Sequence, residues 1–328
     1  MDIRAFGGEF RLIDDIVAGF RNHHGVPVTV GDDAAVVPTG EGDFRVLTTD
    51  ALVEGEHFRL DWSTPFQVGV KTLECNVSDI AAMGAIPEFL LLNLIIRDGL
   101  SVEDVREVYR GIREGCDRYG ITLLGGDTTR GPVLMLSATL TGRTKRPVLR
   151  SGAKEGDILC LTGDVGAAEA AVRLLAGSWD STVPLALPDR FARLQHRHAE
   201  PRSRLDASRI LGPAASAMID VSDGVASEVR HICNRSRVGA IVEVSRLPIA
   251  ADTCEAAGVL GVHPSVLALS GGEDYELLCT LPPEALVNVQ SSLPDLTVIG
   301  RVVRAEDGLR VRYGDGREEE LPSGFQHF

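Results

Sequence analysis

The sequence predicts an α/β (α+β) protein of two domains, and three observations carry that prediction. The chain has 328 residues, whereas a single hydrophobic core stops growing at roughly 250–300 residues. Segments of strand period and of helix period interleave along its whole length. Near the middle a polar, proline-marked break, Thr144-Lys145-Arg146-Pro147 with Ser151-Gly152 just beyond, divides them into residues 1–146 and 147–328.

In order along the chain, Phe10, Ile13, Ile16, Val17 and Phe20 recur at helical spacing and predict an amphipathic helix from Glu9 to Arg21. β-rich runs at Val28–Val30, Ala34–Val37 and Arg45–Thr49 follow, broken by glycine and acidic residues. Ser63-Thr64-Pro65 supplies a cap and a first-turn proline for a helix to Met83, ahead of a strand at Phe89–Ile96. Ser101, with Asp104 at capping-box spacing, opens a helix over Val102–Tyr119. Strands at Ile121–Leu124 and Val133–Thr141 complete this half. Beyond the break, Asp157–Thr162 (strand), Ala167–Ala176 (helix), Ala217–Val221 (strand), Val225–Arg237 (helix) and Ala240–Val244 (strand) alternate as in an α/β unit. Strands at Leu267–Leu269 and Tyr275–Leu281, a helix near Glu284–Ser291 and a strand pair turning at Asp315-Gly316 finish the chain.

Hydrophobic residues make up 44% and charged ones 24%, so the core needs neither disulfides nor a large partner. The formal net charge of -14 repels phosphate backbones and anionic lipid, which argues against nucleic-acid or membrane partners and leaves anionic substrates in need of metal counterions. The six cysteines are widely spaced, with neither a Cys-x-x-Cys pair nor a histidine at zinc-ligand spacing, and read as reduced and structural. With no leader pattern and no apolar run of roughly 20 residues, the expected location is cytoplasmic.

Six clusters set acids and hydroxyls, most of them beside glycines, near apolar runs: Gly31-Asp32-Asp33, Thr48-Thr49-Asp50, Asn76-Val77-Ser78-Asp79, Gly125-Gly126-Asp127-Thr128-Thr129, Asp220-Val221-Ser222-Asp223-Gly224 and Ser270-Gly271-Gly272-Glu273-Asp274. One such cluster is an ordinary solvated turn. Six together point to a phosphate site, which needs close backbone approach, free amide donors and carboxylates that hold cations. Placement at strand ends would suit ligand binding. Asp32 ranks behind Asp33, because adjacent side chains on an extended strand point to opposite faces. The three lysines, Lys71, Lys145 and Lys154, follow no glycine, so there is no Gly-x-x-x-x-Gly-Lys loop and no Rossmann fingerprint. Any ATP must therefore be held by metal ions, backbone and arginine.

At these residues the chain resembles the thiamine-monophosphate kinases, whose ordered motifs look like Val30–Val37, Thr48–Phe58, Lys71–Pro87, Gly125–Gly131, Arg150–Gly156, Asp220–Gly224 and Leu269–Leu278. The acidic and Gly-Gly-Asp pattern alone is similar to the wider superfamily of aminoimidazole ribonucleotide synthetase, HypE and selenophosphate synthetase. Val53–Phe58, Ser270–Leu277 and the terminal Gly324-Phe325-Gln326-His327-Phe328 carry the narrower resemblance, with Val225 and Gln326 as small departures. The resemblance implies several Mg2+ ions held by Asp33, Thr48, Thr49, Asp50, Asp79, Asp127, Asp220 and Asp223. It implies ATP contacts from Tyr109, Gly126, Asp127, Arg150 and Ser222, and thiamine monophosphate contacts from His57, Glu273 and Phe325. Without it Tyr109 reads as core, on a helical stripe with Val105 and Ile112. The implied reaction is in-line γ-phosphoryl transfer with no dedicated catalytic base, in a homodimer paired through the N-terminal sheet. The alternatives are another ATP-using superfamily enzyme and a non-catalytic Mg-ATP-binding protein, with a phosphatase as a weaker third.

Overall fold

A computed structural model describes residues 8–20, 25–40, 42–177 and 186–324. The first helix, α1 (Gly8–Ala18), precedes a five-stranded sheet built from β1 (Ala35–Gly40), β2 (Asp43–Val53), β3 (Ile86–Ile96), β4 (Thr122–Arg130) and β5 (Met135–Thr144). Its order is β1-β2-β5-β3-β4, with β3 and β4 parallel and the remaining neighbours antiparallel. Val28–Val30 is no strand, only a single bridge from Val28 to Val36.

Two helices lie between β2 and β4 in sequence: α2 (Pro65–Ala82) and α3 (Val102–Tyr119). Their starts follow the sequence signals. Thr64 and Gln67 form a reciprocal capping box ahead of Pro65, Ser101 and Asp104 form another, and Gly120 in a left-handed conformation ends α3. The helices meet at glycines. A Cβ on Gly69 would sit 2.0 Å from the Val108 carbonyl oxygen and one on Gly111 2.1 Å from that of Phe66, so nothing larger permits this approach.

The second half contains β6 (Ile158–Leu161), α4 (Ala167–Ala176), α5 (Ala192–Ala199), α6 (Leu205–Leu211), β7 (Ala217–Asp220), α7 (Val225–Ser236), β8 (Gly239–Glu243), α8 (Ala251–Leu260), α9 (Pro264–Ser270), β9 (Leu277–Leu281), α10 (Pro283–Ser292), β10 (Thr297–Val303), β11 (Leu309–Arg312) and β12 (Glu318–Glu320). Its seven-stranded sheet runs β12-β11-β8-β10-β6-β9-β7, antiparallel except for the β8–β11 pair. Leu267–Leu269, expected as a strand, belongs to α9 instead. A short apolar run does not discriminate helix from strand by period, and here His263 and Pro264 start a helix.

α2 is the axis of the molecule. One side packs on β2 and β5, another on α3, and the rest on α5, α6 and β7 of the second half. Nearly every residue from Val68 to Ala82 is therefore buried, polar ones included. Glu74 shows how they are satisfied: its carboxylate accepts from Arg118 at 2.9 Å, from the Tyr119 hydroxyl at 2.8 Å and from the Ser203 backbone amide at 2.9 Å. The last of these bonds ties the second half to α2, and the Ser208 hydroxyl adds another to the Ala81 carbonyl at 2.6 Å. Tyr275 and Leu205 join the first-half core directly.

Candidate active site

Side chains four apart on a helix share a face, and Lys71, Cys75 and Asp79 run up the face of α2 that turns toward a cavity of about 320 Å³ between the two halves. Asp79 and Cys75 line it together with Asp50 from β2, the Gly55–Arg59 loop and Trp62. From the second half come His198, Glu169, Asp220, Ser222, Asp223, Gly272, Glu273 and Tyr275. Two glycine motifs interlock to form that wall. A Cβ on Gly272 would lie 2.2 Å from the Ser222 carbonyl oxygen, and Gly224, at φ 94°, packs against the Gly271 and Leu269 carbonyls. The segment also turns through left-handed backbone at Glu273 (φ 65°) and Tyr275 (φ 52°), conformations that cost non-glycine residues energy and cluster at functional sites.

One end of the cavity is acidic. Asp33, Asp79 and Asp220 each place a carboxylate oxygen within 4.8 Å of the others. Burial pushes the Asp79 carboxyl well up, and the charges of Asp50, Asp220 and Asp33 push it further. Burial together with the charge of Asp33 raises Asp220 to about 8. The surroundings answer only part of this charge. The Thr48 hydroxyl donates to Asp79, Ser78 donates to Asp220 at 2.7 Å, and Arg150 binds Asp33 Oδ1 at 2.7 Å. The other oxygen, Asp33 Oδ2, is buried without a partner among the described residues. Three converging carboxylates, hydroxyls beside them and an orphaned buried oxygen are the donor set of a hard divalent cation. Asp32 instead accepts from the Arg150 backbone amide at 3.1 Å and stays outside the trio.

The predicted ligands divide between two faces of the sheet. Thr48 and Asp50 share the inner face of β2 with buried Val46 and Leu52. Thr49 points the opposite way and donates to the Ala138 carbonyl at 2.9 Å. Asp127 lies on that outer side too, three strands across on β4, a lateral separation of roughly 14 Å at ordinary strand spacing. Gly126 and Asp127 are exposed, and neither lines the cavity. Tyr109 also lies away from it, half-buried against the first-half core as its stripe position suggests. Three clusters thus sit inside elements rather than at strand ends: Thr48–Asp50 in β2, Ser78-Asp79 in α2 and Gly125–Thr129 in β4. Phe325 lies outside the described residues.

The other end of the cavity is organic. Phe58, Trp62, Tyr275 and His57 border it, with Glu273 and His198 behind. Burial opposes the Glu273 charge, but Lys71 and His198 overcome that and hold the carboxyl at about 2. Trp62, Lys71, Cys75, His198 and Tyr275 were not singled out from sequence. Trp62 and His198 lie outside every motif named from sequence, whereas Lys71 and Cys75 fall within Lys71–Pro87 and Tyr275 within Ser270–Leu277, segments in which other residues carry the chemistry.

Both halves of the chain belong to the AIR synthase related proteins. Residues 31–144 match the AIR synthase related protein N-terminal domain and residues 154–312 the corresponding C-terminal domain. Within that class the chain belongs to the thiamine-monophosphate kinase family. It is 34% identical to the thiamine-monophosphate kinase of Aquifex aeolicus over 98% of both chains, and 35% identical to that of Mycobacterium tuberculosis over 98% of this chain and 92% of the relative. The structure of AaThiL complexed with AMPPCP and TMP superposes with a TM-score of 0.88 at 33% identity, covering 100% of this chain and 99% of the other.

Proposed function

We infer that this protein transfers the γ-phosphoryl group of ATP to the phosphate of thiamine monophosphate, yielding thiamine diphosphate and ADP. The observation that carries the reading is one cavity with an acidic, hydroxyl-lined end and an aromatic end holding a part-buried carboxylate. It suits a molecule that is a phosphate at one end and a cationic heteroaromatic at the other, the combination bound by the superposing relative.

Asp33, Thr48, Asp50, Asp79, Asp220 and Asp223 would hold Mg2+, which when bound neutralises charge on the transferring phosphoryl group. Ser222 and Arg150 would meet ATP phosphates. The acceptor oxygen is already anionic near neutral pH, so no side chain need remove a proton, and the work left to the protein is alignment and charge. His57 and Glu273 would hold the organic end, Glu273 as an acceptor for an amine or a counterion for a thiazolium; Phe325 is assigned to the same end by resemblance. ADP release should require both thiamine monophosphate and a divalent metal. Free thiamine, lacking the phosphate, should turn over at least about a hundredfold more slowly. Equal turnover of free thiamine would remove the substrate assignment.

We further propose that residues 1–146 and 147–328 are the functional domains and that the enzyme works in the cytoplasm as a homodimer. No helix among the described residues is long and apolar enough to cross a membrane. All six cysteines are free thiols, which fits a reducing compartment. β4 ends its sheet with all nine residues exposed, Leu124 at 60% and Leu123 at 43%, and an uncovered apolar edge is where another copy pairs. Gly126, Asp127 and Thr49 lie on or beside that surface, so pairing there is the way they would take part in phosphate binding, with Tyr109 drawn in from α3. Light scattering should give a dimer, and Leu124→Arg should shift it toward monomer with loss of activity. A wild-type monomer at working concentration would contradict this.

A further inference from the structure

Behind the organic end of the cavity, three polar groups far apart in sequence form a closed circuit. The Lys71 ammonium, with a side chain only 2% exposed, donates to the His57 carbonyl at 2.8 Å and pairs with Glu273 Oε1 at 2.7 Å. His198 Nδ1 lies 3.1 Å from Glu273 Oε2 and 3.4 Å from Lys71 Nζ. These two contacts ask for opposite tautomers, and the geometry decides between them. An ionised carboxylate only accepts, so at 3.1 Å Nδ1 must carry the proton; Lys71 already has two nearer acceptors. Burial and the neighbouring Lys71 charge disfavour a second proton on the ring. Nε2 therefore presents a lone pair. It is buried, on a side chain 3% exposed that lines the cavity, and it has no partner among the described residues.

A buried, unpartnered acceptor costs stability unless something supplies a donor. We propose that His198 is a substrate-binding residue whose Nε2 accepts a hydrogen bond from the amine on the heteroaromatic half of the substrate, with Lys71 as the positioning residue that fixes Glu273 beside it. This rests on the functional reading above and adds a specificity determinant to it. Two acceptors side by side, one neutral and one anionic, select an N–H-bearing, electron-poor ring, and they reject a ring that lacks the donor because the imidazole lone pair then stays unpaired.

The test compares thiamine monophosphate with its desamino analogue, hydrogen replacing the pyrimidine amine, in steady-state kinetics with saturating ATP and magnesium. The wild type should prefer the amine-bearing substrate by roughly ten- to thirtyfold in kcat/KM. His198→Phe should raise KM for thiamine monophosphate about five- to thirtyfold with kcat within about twofold, leave the analogue unaffected, and so shrink the preference. His198→Gln, whose side-chain oxygen can accept, should restore part of it. A second readout needs no kinetically competent variant: in 15N-histidine-labelled wild-type protein the unprotonated Nε2 resonance of His198 should move upfield on adding thiamine monophosphate but not the analogue. Undiminished discrimination by His198→Phe, or a protonated Nε2 in the free enzyme, overturns the proposal while leaving the functional reading intact. A wild type that turns over neither compound overturns both.

Discussion

Asp79→Asn or Asp220→Asn should lower kcat by roughly 10²–10³-fold, because each removes a charge from the carboxylate trio that would hold metal against the transferring phosphoryl group. Near-normal kcat at limiting magnesium would place these residues outside the phosphate site. The same substitutions should stabilise the metal-free fold, since the trio consists of buried like charges. The sign follows from linkage. Asp220 has a folded pKa of about 8 against an ordinary 3.8, so below 3.8 both folded and unfolded chains hold the proton and no penalty exists. Between 3.8 and about 8 only the unfolded chain releases it, and unfolding becomes easier as pH rises. Metal-free wild type should thus lose stability from pH 5 to pH 8, Asp220→Asn should lose less, and saturating magnesium should shrink the difference. Thermal denaturation across that range, with and without magnesium, reads all three effects. A metal-free Asp220→Asn protein melting below wild type at pH 8 would show that the trio is not under repulsion.

Lys71→Met should be the most destabilising single change near the cavity, costing about 3 kcal/mol or more, because it takes the cation from Glu273 and removes the bond to the His57 carbonyl. Glu273→Gln on that background should recover much of the loss, since the damage is an uncompensated part-buried charge and not lost volume. The double variant should nevertheless remain inactive or raise KM for thiamine monophosphate, because Glu273 is proposed to hold the organic end of the substrate. Urea denaturation of both single variants and the double variant gives the coupling. Additive effects would mean that Lys71 and Glu273 act independently.

The sequence determined the chemistry of the acidic end. Metal ligation needs contiguous combinations of carboxylate, hydroxyl and glycine, and Gly31–Asp33, Thr48–Asp50, Ser78-Asp79 and Asp220–Gly224 carry them openly. It also set the starts of α2 and α3, because capping boxes are local and need only residues three apart. Tertiary structure alone decided which members of a motif work together. Thr48 and Thr49 are chemically alike, but the two-residue period of β2 sends one to the buried acidic trio and the other to the open face of the sheet, and only the side that α2 covers makes that distinction. The sequence showed less of the organic end: the resemblance assigned His57, Glu273 and Phe325 to it, but neither Lys71 nor His198. Lys71 and His198 are 127 residues apart, and neither has neighbours that announce a contact with Glu273. Their circuit exists because α5 and the Glu273 turn pack against one face of α2, and the energy of a buried cation and imidazole facing a part-buried carboxylate depends on that enclosure, which no local pattern encodes.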